Sequence, residues 1–480
     1  MKIENRFWRL LLSTVPTVLA AALVLSSVAP NATAYAQGAQ SKAKSAAQPA
    51  SANIPRINFK ESKLKNGLRV FLVEDHSAPV VSISVIYDTG SRNEKQGRTG
   101  FAHLFEHMMF QGSENVGKSE HFILVDTNGG QMNGTTNEER TLYFETLPAN
   151  QLDLALFLEA DRMRGLDITK ENLDNQRNAV QEERRLGVDN QPYGQLREQF
   201  GEKMYDNFAY KHSVIGSLAD LNAASVEDVK EFFRIYYAPN NATLALVGDF
   251  KSADALAKIK KQFETIPAQP APPKVDAAEP EQTAERRFTL DDPLAQLALL
   301  NIGYKGVIGN TPDAYALQVL ATVLGGGQSS RLYQKLVKEK QLALSAFSFA
   351  NTRRGPGAFL LSANIAPGKK VEDVEAVIYE EIARLQQEPI ADWELEKARQ
   401  SAKRNAIGAQ QSSLGLGINI IEAAVAYNDP NLVNTRLGKV LAVTKEDVQR
   451  AAQKYLQPAR RTVGVALPKP KVAGPRATGQ

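Results

Sequence analysis

The chain of 480 residues contains no cysteine. Without thiols it cannot form disulfides, present a thiol nucleophile, or hold zinc or an iron–sulfur cluster through sulfur. Its stability must therefore come from core packing and from any bound metal. Histidine is also scarce, with five in the whole chain, so a close grouping of histidines is informative.

A strong charge of one sign is also lacking. The 57 basic and 53 acidic side chains leave a net charge of +4, which is too small for a dedicated nucleic-acid-binding protein of this size. The hydrophobic fraction of 43% excludes disorder over most of the length, because disorder combines low hydrophobicity with high net charge. The length predicts two or three domains, and no nucleic-acid partner is expected.

The N-terminus has the pattern of a secretory signal peptide. Three basic residues precede an apolar run over residues 10–28, and small residues follow up to Ala36. We therefore expect residues 1–36 to be cleaved, residues 37–54 to form a flexible leader, and the protein to be exported to a bacterial periplasm with no stable membrane span. The alternative is an uncleaved anchor, because the apolar run is close to the shortest that crosses a bilayer. Pro16 weakens such a helix.

A proline-rich segment divides the rest of the chain. Residues 267–287 contain five prolines among Ala, Gln and Glu, a composition that favours an extended linker. The predicted organisation is an N-terminal module over residues 55–266, this linker, a C-terminal module over residues 288–470, and a tail over residues 471–480. Residues 68–74 alternate as in a half-buried strand.

The two modules share an internal repeat. Asp228 and Asp447 are 447 − 228 = 219 positions apart, and Pro239 and Pro458 are 458 − 239 = 219 positions apart. In both copies a capping-type start opens a helix that stops at proline before a strand. The repeat predicts an α+β fold of two homologous modules.

The strongest chemical signal is the pattern H-x-x-E-H. His103 and His107 are four residues apart, so on a helix they lie on one face and can share a zinc ion. Glu106 lies on the same side and can reach a water at the metal without being a ligand. This arrangement predicts metal-assisted hydrolysis with Glu106 as the general base. The competing interpretation is a pair of satisfied core histidines.

A catalytic zinc ion needs a third protein ligand and an open position. The helix-forming stretch 176–186 carries Glu182 and Glu183 side by side. Spacing alone does not choose between these two carboxylates.

These motifs together resemble the pitrilysin/insulinase (M16) family of zinc metallopeptidases, in particular its shorter members related to mitochondrial processing peptidase. The matching stretches are His103-Leu-Phe-Glu106-His107, Asn133-Gly-Thr-Thr136, Asn178-Ala-Val-Gln-Glu-Glu183 and Gly325-Gly-Gly-Gln-Ser-Ser-Arg331-Leu332. The resemblance extends from about Ile57 to Pro468.

The resemblance implies two α/β-roll modules that clasp a chamber, with Zn²⁺ as the cofactor. It places the third ligand on Glu183, because the family spacing is matched by 183 − 107 = 76. The family's outer carboxylate aligns with Gln176, whose amide can still hydrogen-bond a histidine. The family binds substrate by adding its backbone to a sheet edge, and Asn133, Gly134 and Thr135 match that edge.

One departure concerns the second module. Active members carry an Arg and a Tyr that hold the substrate carbonyl, and Val337 and Leu344 occupy those positions here. An aliphatic side chain cannot donate to an oxyanion. The resemblance therefore implies a heterodimer with an M16-like sister subunit that supplies the Arg/Tyr pair, while compensation by Lys338 or Arg331 within the same chain is the alternative.

The sequence thus predicts a zinc-dependent endopeptidase subunit that hydrolyses peptides or short unfolded segments. The competing hypothesis from another class is a non-catalytic scaffold that binds a partner. Val337 and Leu344 favour the scaffold, whereas the intact set of His103, Glu106, His107 and Glu183 favours the enzyme.

Overall fold

The computed structural model describes residues 55–469. The predicted signal peptide, the leader and the C-terminal tail lie outside the described residues. Within the described range, no helix combines the length and apolar character that a membrane crossing requires.

The first half of the chain forms a six-stranded sheet with helices packed on it. Its strands are β1 (Lys60–Lys63), β2 (Arg69–Glu74), β3 (Val80–Tyr87), β4 (Gln131–Thr136), β5 (Thr141–Pro148) and β6 (Ala242–Gly248). Its helices are α1 (Phe101–Met108), α2 (Glu120–Thr127), α3 (Leu152–Arg164), α4 (Lys170–Arg184), α5 (Gly194–Met204), α6 (Phe208–Lys211), α7 (Leu218–Asn222), α8 (Val226–Tyr236) and α9 (Ser252–Phe263). The strand order is β1-β2-β6-β3-β5-β4.

The second half forms a five-stranded sheet. Its strands are β7 (Arg286–Asp292), β8 (Leu299–Lys305), β9 (Ala343–Asn351), β10 (Ala358–Ile365) and β11 (Arg461–Pro468). Its helices are α10 (Pro312–Gly325), α11 (Val371–Gln387), α12 (Asp392–Gly408), α13 (Ser413–Tyr427), α14 (Leu432–Leu441) and α15 (Lys445–Tyr455). The strand order is β7-β11-β8-β10-β9.

The two halves are copies of one α+β module. In the first sheet the last strand, β6, lies between β2, to which it is parallel, and β3, to which it is antiparallel. In the second sheet β11 lies in the same way between β7 and β8, and all other strand pairs of the two sheets are antiparallel. Helices α8 and α15 both begin with a capping box, formed by Ser225 with Asp228 and by Thr444 with Asp447. The β4 strand of the first sheet and the β9 strand of the second therefore occupy equivalent edges.

The proline-rich segment contains no helix or strand between the end of α9 and Arg286. Strand β7 includes Arg286 and Arg287, the last two residues of the predicted linker, because both pair with β11. The segment is fixed to the first module by the carboxylate of Glu279, which accepts hydrogen bonds from the backbone N–H groups of Asp206 at 2.9 Å and Asn207 at 3.0 Å.

One helix of each module packs on the sheet of the other module. Helix α13 packs on β3 and β6 of the first sheet, where Ile420 and Ile421 are fully buried. Helix α5 packs on β7, β8 and β11 of the second sheet through Leu196 and Phe200. The structure corrects the prediction of a half-buried strand over residues 68–74. Four consecutive residues of β2 are buried, because α13 covers the face that would otherwise meet solvent.

Candidate active site

Helix α1 carries the H-x-x-E-H pattern, and its start is tightly specified. Gly100 precedes the helix with φ of 83°, and a Cβ there would lie 2.7 Å from the Ile215 carbonyl oxygen. The buried carboxylate of Glu94 accepts hydrogen bonds from the N–H groups of Gly100 at 2.9 Å and Ala102 at 2.8 Å. These bonds satisfy donors that a helix N-terminus leaves free. The helix is therefore fixed in position and rotation.

His103 and His107 lie on the face of α1 that meets α4. Their ring centroids are 4.8 Å apart. Glu183, in the last turn of α4, places its Oε2 atom 3.6 Å from His103 Nε2 and 3.3 Å from His107 Nε2. The three predicted ligand side chains thus converge on one point.

The neighbouring carboxylate points elsewhere. Glu182 Oε2 accepts from the Arg185 guanidinium at 3.0 Å. Spacing left Glu182 and Glu183 as equal candidates, and the structure brings only Glu183 to the two imidazoles.

The donor set fits a zinc ion. One ligand atom from each of the three residues lies within 4.8 Å of the others. Ligand atoms about 2.0–2.1 Å from a tetrahedral zinc ion are about 3.3 Å from one another, and the two carboxylate–imidazole distances of 3.3 and 3.6 Å are close to that value. Two imidazoles and one carboxylate also form a common ligand set for hydrolytic zinc.

The outer nitrogens of the two imidazoles differ in their contacts. His107 Nδ1 lies 3.3 Å from Gln176 Oε1, so an Nδ1–H group can donate to that amide oxygen and leave Nε2 available to a metal ion. His103 Nδ1 is buried and has no hydrogen-bond partner within the described residues. Burial and the neighbouring His107 lower the pKa of His103 to about 4, which keeps that ring neutral at neutral pH.

Glu106 immediately precedes His107 on α1, and its side chain faces the same space. The Thr136 hydroxyl donates to Glu106 Oε2 at 2.5 Å. Burial raises the pKa of Glu106, and the bond from Thr136 acts in the opposite direction. A carboxylate with a raised pKa is a better proton acceptor at neutral pH. Thr136 ends the stretch that resembles the family, but the sequence pattern indicates no role for its hydroxyl.

The predicted substrate edge lies on β4, the outermost strand of the first sheet. Asn133 and Thr135 are exposed, and Gly134 is buried against Glu106. A Cβ at Gly134 would lie 3.0 Å from Glu106 Cγ, so glycine leaves the carboxylate its room. Arg140 donates to the Thr135 carbonyl at 2.8 Å and also contacts Glu422 of α13 at 3.2 Å. No sequence motif indicates this bridging role of Arg140.

The second-module positions of the expected clamp carry no donor. Leu344 lies on the edge strand β9 with 56% of its surface exposed, and Val337 lies in the π-helical segment that precedes it. Arg331 is held by Glu394 through two bonds of 2.7 and 2.8 Å. Lys338 lies over the Tyr333 ring at 5.9 Å. Arg331 is therefore already paired, which weakens the alternative of compensation within the chain.

A second cluster of titratable groups lies buried in the first module. His121, Glu145 and Glu159 approach one another closely enough to hold a metal. However, the buried guanidinium of Arg162 bonds Glu159 and stacks on Tyr143 at 4.5 Å. A cation is thus already present, so the donor set does not fit a metal ion.

The chain is similar to known peptidases. The family models "Insulinase (Peptidase family M16)" and "Peptidase M16 inactive domain" match residues 69–217 and 223–402. The zinc protease PqqE of Helicobacter pylori is 31% identical over 402 residues, covering 83% of this chain and 90% of that protein. The probable mitochondrial-processing peptidase subunit beta of Arabidopsis thaliana is 24% identical over 406 residues, covering 82% of this chain and 75% of that protein.

Solved structures give the same result. The crystal structure of a protease from Helicobacter pylori matches with a TM-score of 0.83 at 30% identity, and the match covers 86% of this chain and 100% of the protease chain. Fold and site together define a two-module protein of the zinc-peptidase class. The chain belongs to the M16 family, in its short form, as the resemblance predicted.

Proposed function

We propose that the chain is a zinc-dependent endopeptidase subunit that hydrolyses peptides or short unfolded segments. The observation that carries this proposal is the convergence of Glu183 on both His103 and His107, with Glu106 beside them. A protein that had lost catalysis would have no physical need for a buried carboxylate of raised pKa beside a metal-binding face.

The proposed roles follow from position. His103, His107 and Glu183 would hold Zn²⁺, which when bound supplies a Lewis acid that activates water and polarises a carbonyl. Glu106 would accept the water proton and pass it to the leaving amine, with Thr136 orienting its carboxylate. Gln176 would orient His107 through its outer nitrogen.

The substrate would bind as an extended chain along β4. The outer side of this edge strand carries no neighbouring strand among the described residues, and an edge of this kind can pair with a peptide backbone. Asn133, Gly134 and Thr135 would make that pairing beside Glu106. A substrate held in this way must be extended, which favours peptides over folded proteins.

We further propose that turnover requires a sister subunit of the same family. Val337 and Leu344 leave this chain without the Arg/Tyr pair that the family uses to hold the substrate carbonyl, and Arg331 is engaged by Glu394. The missing donors would come from an M16-like partner. The N-terminal pattern of basic, apolar and small residues supports export and a periplasmic location.

The second candidate function is a non-catalytic scaffold, which the aliphatic residues at positions 337 and 344 favour. A zinc assay and a fluorogenic peptide assay, with the chain alone and with the candidate sister subunit, separate the two. We expect bound zinc in both samples and strong turnover only in the mixture, together with a heterodimer mass in solution. Zinc without turnover in either sample would support the scaffold, and a fully active monomer or homodimer would contradict the heterodimer.

A further inference from the structure

The second module has a cavity at the position that corresponds to the zinc site of the first. Aligning the residues that precede α4 and α12, Thr169 and Ala391, gives an offset of 391 − 169 = 222. With this offset, Glu183 corresponds to Asn405 and Gln176 to Ala398. Both Asn405 and Ala398 line a cavity of about 460 Å³ between α10 and α12.

The histidine side of the site has changed in the same way. The pattern H-x-x-E-H of α1 corresponds to residues 317–321 of α10, so Ala321 stands at the position of His107. Ala321 also lines the cavity, as do Val319 of α10 and Leu437 of α14. The duplicated position has thus lost every metal ligand and has become a mainly apolar recess.

A basic pocket of about 610 Å³ adjoins this recess and shares Thr322, Gly326 and Ser401 with it. Lys397 and Arg404 line it from one face of α12, seven residues apart, and none of its lining residues is acidic. The Lys397 ammonium is buried and has no hydrogen-bond partner within residues 55–469. Burial lowers the pKa of Lys397, and the charge of the Glu394 carboxylate acts in the opposite direction.

The acidic side chain whose charge acts on Lys397 is already paired with another cation. Glu394, one turn before Lys397 on α12, is held by both guanidinium contacts of Arg331. The pocket therefore presents two cations and glycine-loop backbone to an incoming anion, and the apolar recess lies directly beside them. A buried cation of this kind is complemented by a carboxylate.

The wall of the recess favours a peptide over a fatty acid. Ser348, Phe349 and Ala350 of β9 line it, and β9 is the outermost strand of the second sheet. An edge strand offers backbone donors and acceptors that a peptide can pair with and an alkyl chain cannot.

We propose that this paired cavity binds the free C-terminal end of a peptide, with the carboxylate at Lys397 and Arg404 and an apolar last side chain in the recess. The proposal rests on the proposed peptidase function, because it assigns a second contact to the same class of substrate or product. It concerns binding alone, so it can be tested separately from hydrolysis.

The test measures fluorescence anisotropy of N-terminally labelled Gly-Ala-Ala-Leu with the full chain carrying Glu106→Gln, which removes the proposed general base. The same peptide as a C-terminal amide is the matched probe. We expect the acid to bind about 10- to 100-fold more tightly than the amide, because the amide loses a charge-assisted bond. Lys397→Met should reduce the affinity for the acid by a similar factor and leave the weak binding of the amide unchanged. Lys369→Gln, an exposed lysine of the same module, is the control.

Two further measurements test whether the peptide carboxylate binds to the metal instead and whether the cavity prefers a lipid-like carboxylate. Removing zinc with a chelator should leave the preference for the acid unchanged, whereas loss of the preference would assign the carboxylate to the metal and overturn the proposal. Decanoate should compete poorly, and competition as strong as that of the unlabelled peptide acid would assign the cavity to lipid-like carboxylates instead. If the Glu106→Gln protein without further substitutions bound the peptide acid and the peptide amide with equal affinity, the proposal would also be overturned, whatever the outcome of the peptidase assay.

Discussion

Glu183 Oε2 lies 3.3 Å from His107 Nε2, although the two residues stand 76 positions apart, since 183 − 107 = 76. The contact joins the last turn of α4 to α1. The Glu183 carboxylate reaches the imidazole pair only because α4 packs against α1 within the first module. The zinc hypothesis depends on this long-range contact, which the local motif alone could not provide.

The first prediction concerns Glu106. Glu106→Gln should reduce peptide hydrolysis by about 10²–10⁴-fold, because the amide cannot accept a proton from water. Zinc content should not change, since Glu106 is not one of the three converging ligands. The measurement is turnover of a fluorogenic peptide in the assembled complex, alongside metal analysis. Unchanged turnover would remove Glu106 from the mechanism.

The second prediction concerns Gln176, which contacts His107 Nδ1 at 3.3 Å. Gln176→Ala should weaken zinc affinity by about 10- to 100-fold, because the imidazole loses the partner that orients it. Gln176→Glu should restore or exceed the parent affinity. Asn175→Ala, an exposed neighbour on the same helix, is the control. Competition with a chromophoric chelator measures all four proteins, and an unaltered affinity in Gln176→Ala would contradict the assignment.

The third prediction concerns Gly134, whose absent side chain leaves room for Glu106. Gly134→Ala places a methyl group 3.0 Å from Glu106 Cγ, so the carboxylate must shift. Turnover should fall about 10- to 100-fold, since small misplacements of a catalytic group are costly, while zinc content stays constant. Gly165→Ala meets no atom within 4 Å and should keep full turnover. Equal activity of both variants would show that this close approach has no role.

The fourth prediction concerns pH and the buried cluster around Arg162. Burial raises the pKa of Glu145 to about 8, and burial lowers the pKa of His121 to about 3. At neutral pH a protonated Glu145 can therefore donate to a neutral His121 Nε2 at 3.3 Å.

Because the folded-state pKa of Glu145 is raised, the folded protein binds the extra proton. Stability from this group is present below pH 4.5, the ordinary pKa of the carboxyl, and is lost as the pH rises to about 8. The slope is on the order of 1 kcal/mol per pH unit. Glu145→Gln keeps a donor toward His121 and should therefore flatten the fall of the melting temperature between pH 5 and pH 8. The control Glu396→Gln changes an exposed carboxylate, and its melting temperature should depend on pH as that of the parent protein does. If the Glu145 carboxyl were already ionised in the folded protein, Glu145→Gln would also show the pH dependence of the parent, which would contradict the prediction.

Local patterns were sufficient to predict part of this structure. The capping boxes of Ser225 and Thr444 and the spacing of His103 and His107 are short-range features, and each has the predicted form. The choice between Glu182 and Glu183 depends on helix rotation, which spacing alone does not fix. The bond from Thr136 to Glu106 joins a strand to a helix, so no local pattern could reveal it.

The exchange of helices was outside the reach of the sequence for a different reason. An amphipathic pattern shows that a helix buries one face, but it does not show which sheet that face meets. Helix α13 lies between the second-module helices α12 and α14 in the chain, yet it covers the first sheet with Ile420 and Ile421. The same exchange explains why β2 is buried on both faces.

The central claim is that Glu183 completes a zinc site with the two histidines, and zinc content after exhaustive dialysis tests it most directly. The matched pair Glu182→Gln and Glu183→Gln changes adjacent carboxylates by the same chemistry. The account predicts that the parent and Glu182→Gln retain one zinc ion per chain and that Glu183→Gln loses it. Full retention of zinc by Glu183→Gln, or its loss by Glu182→Gln alone, would contradict the claim.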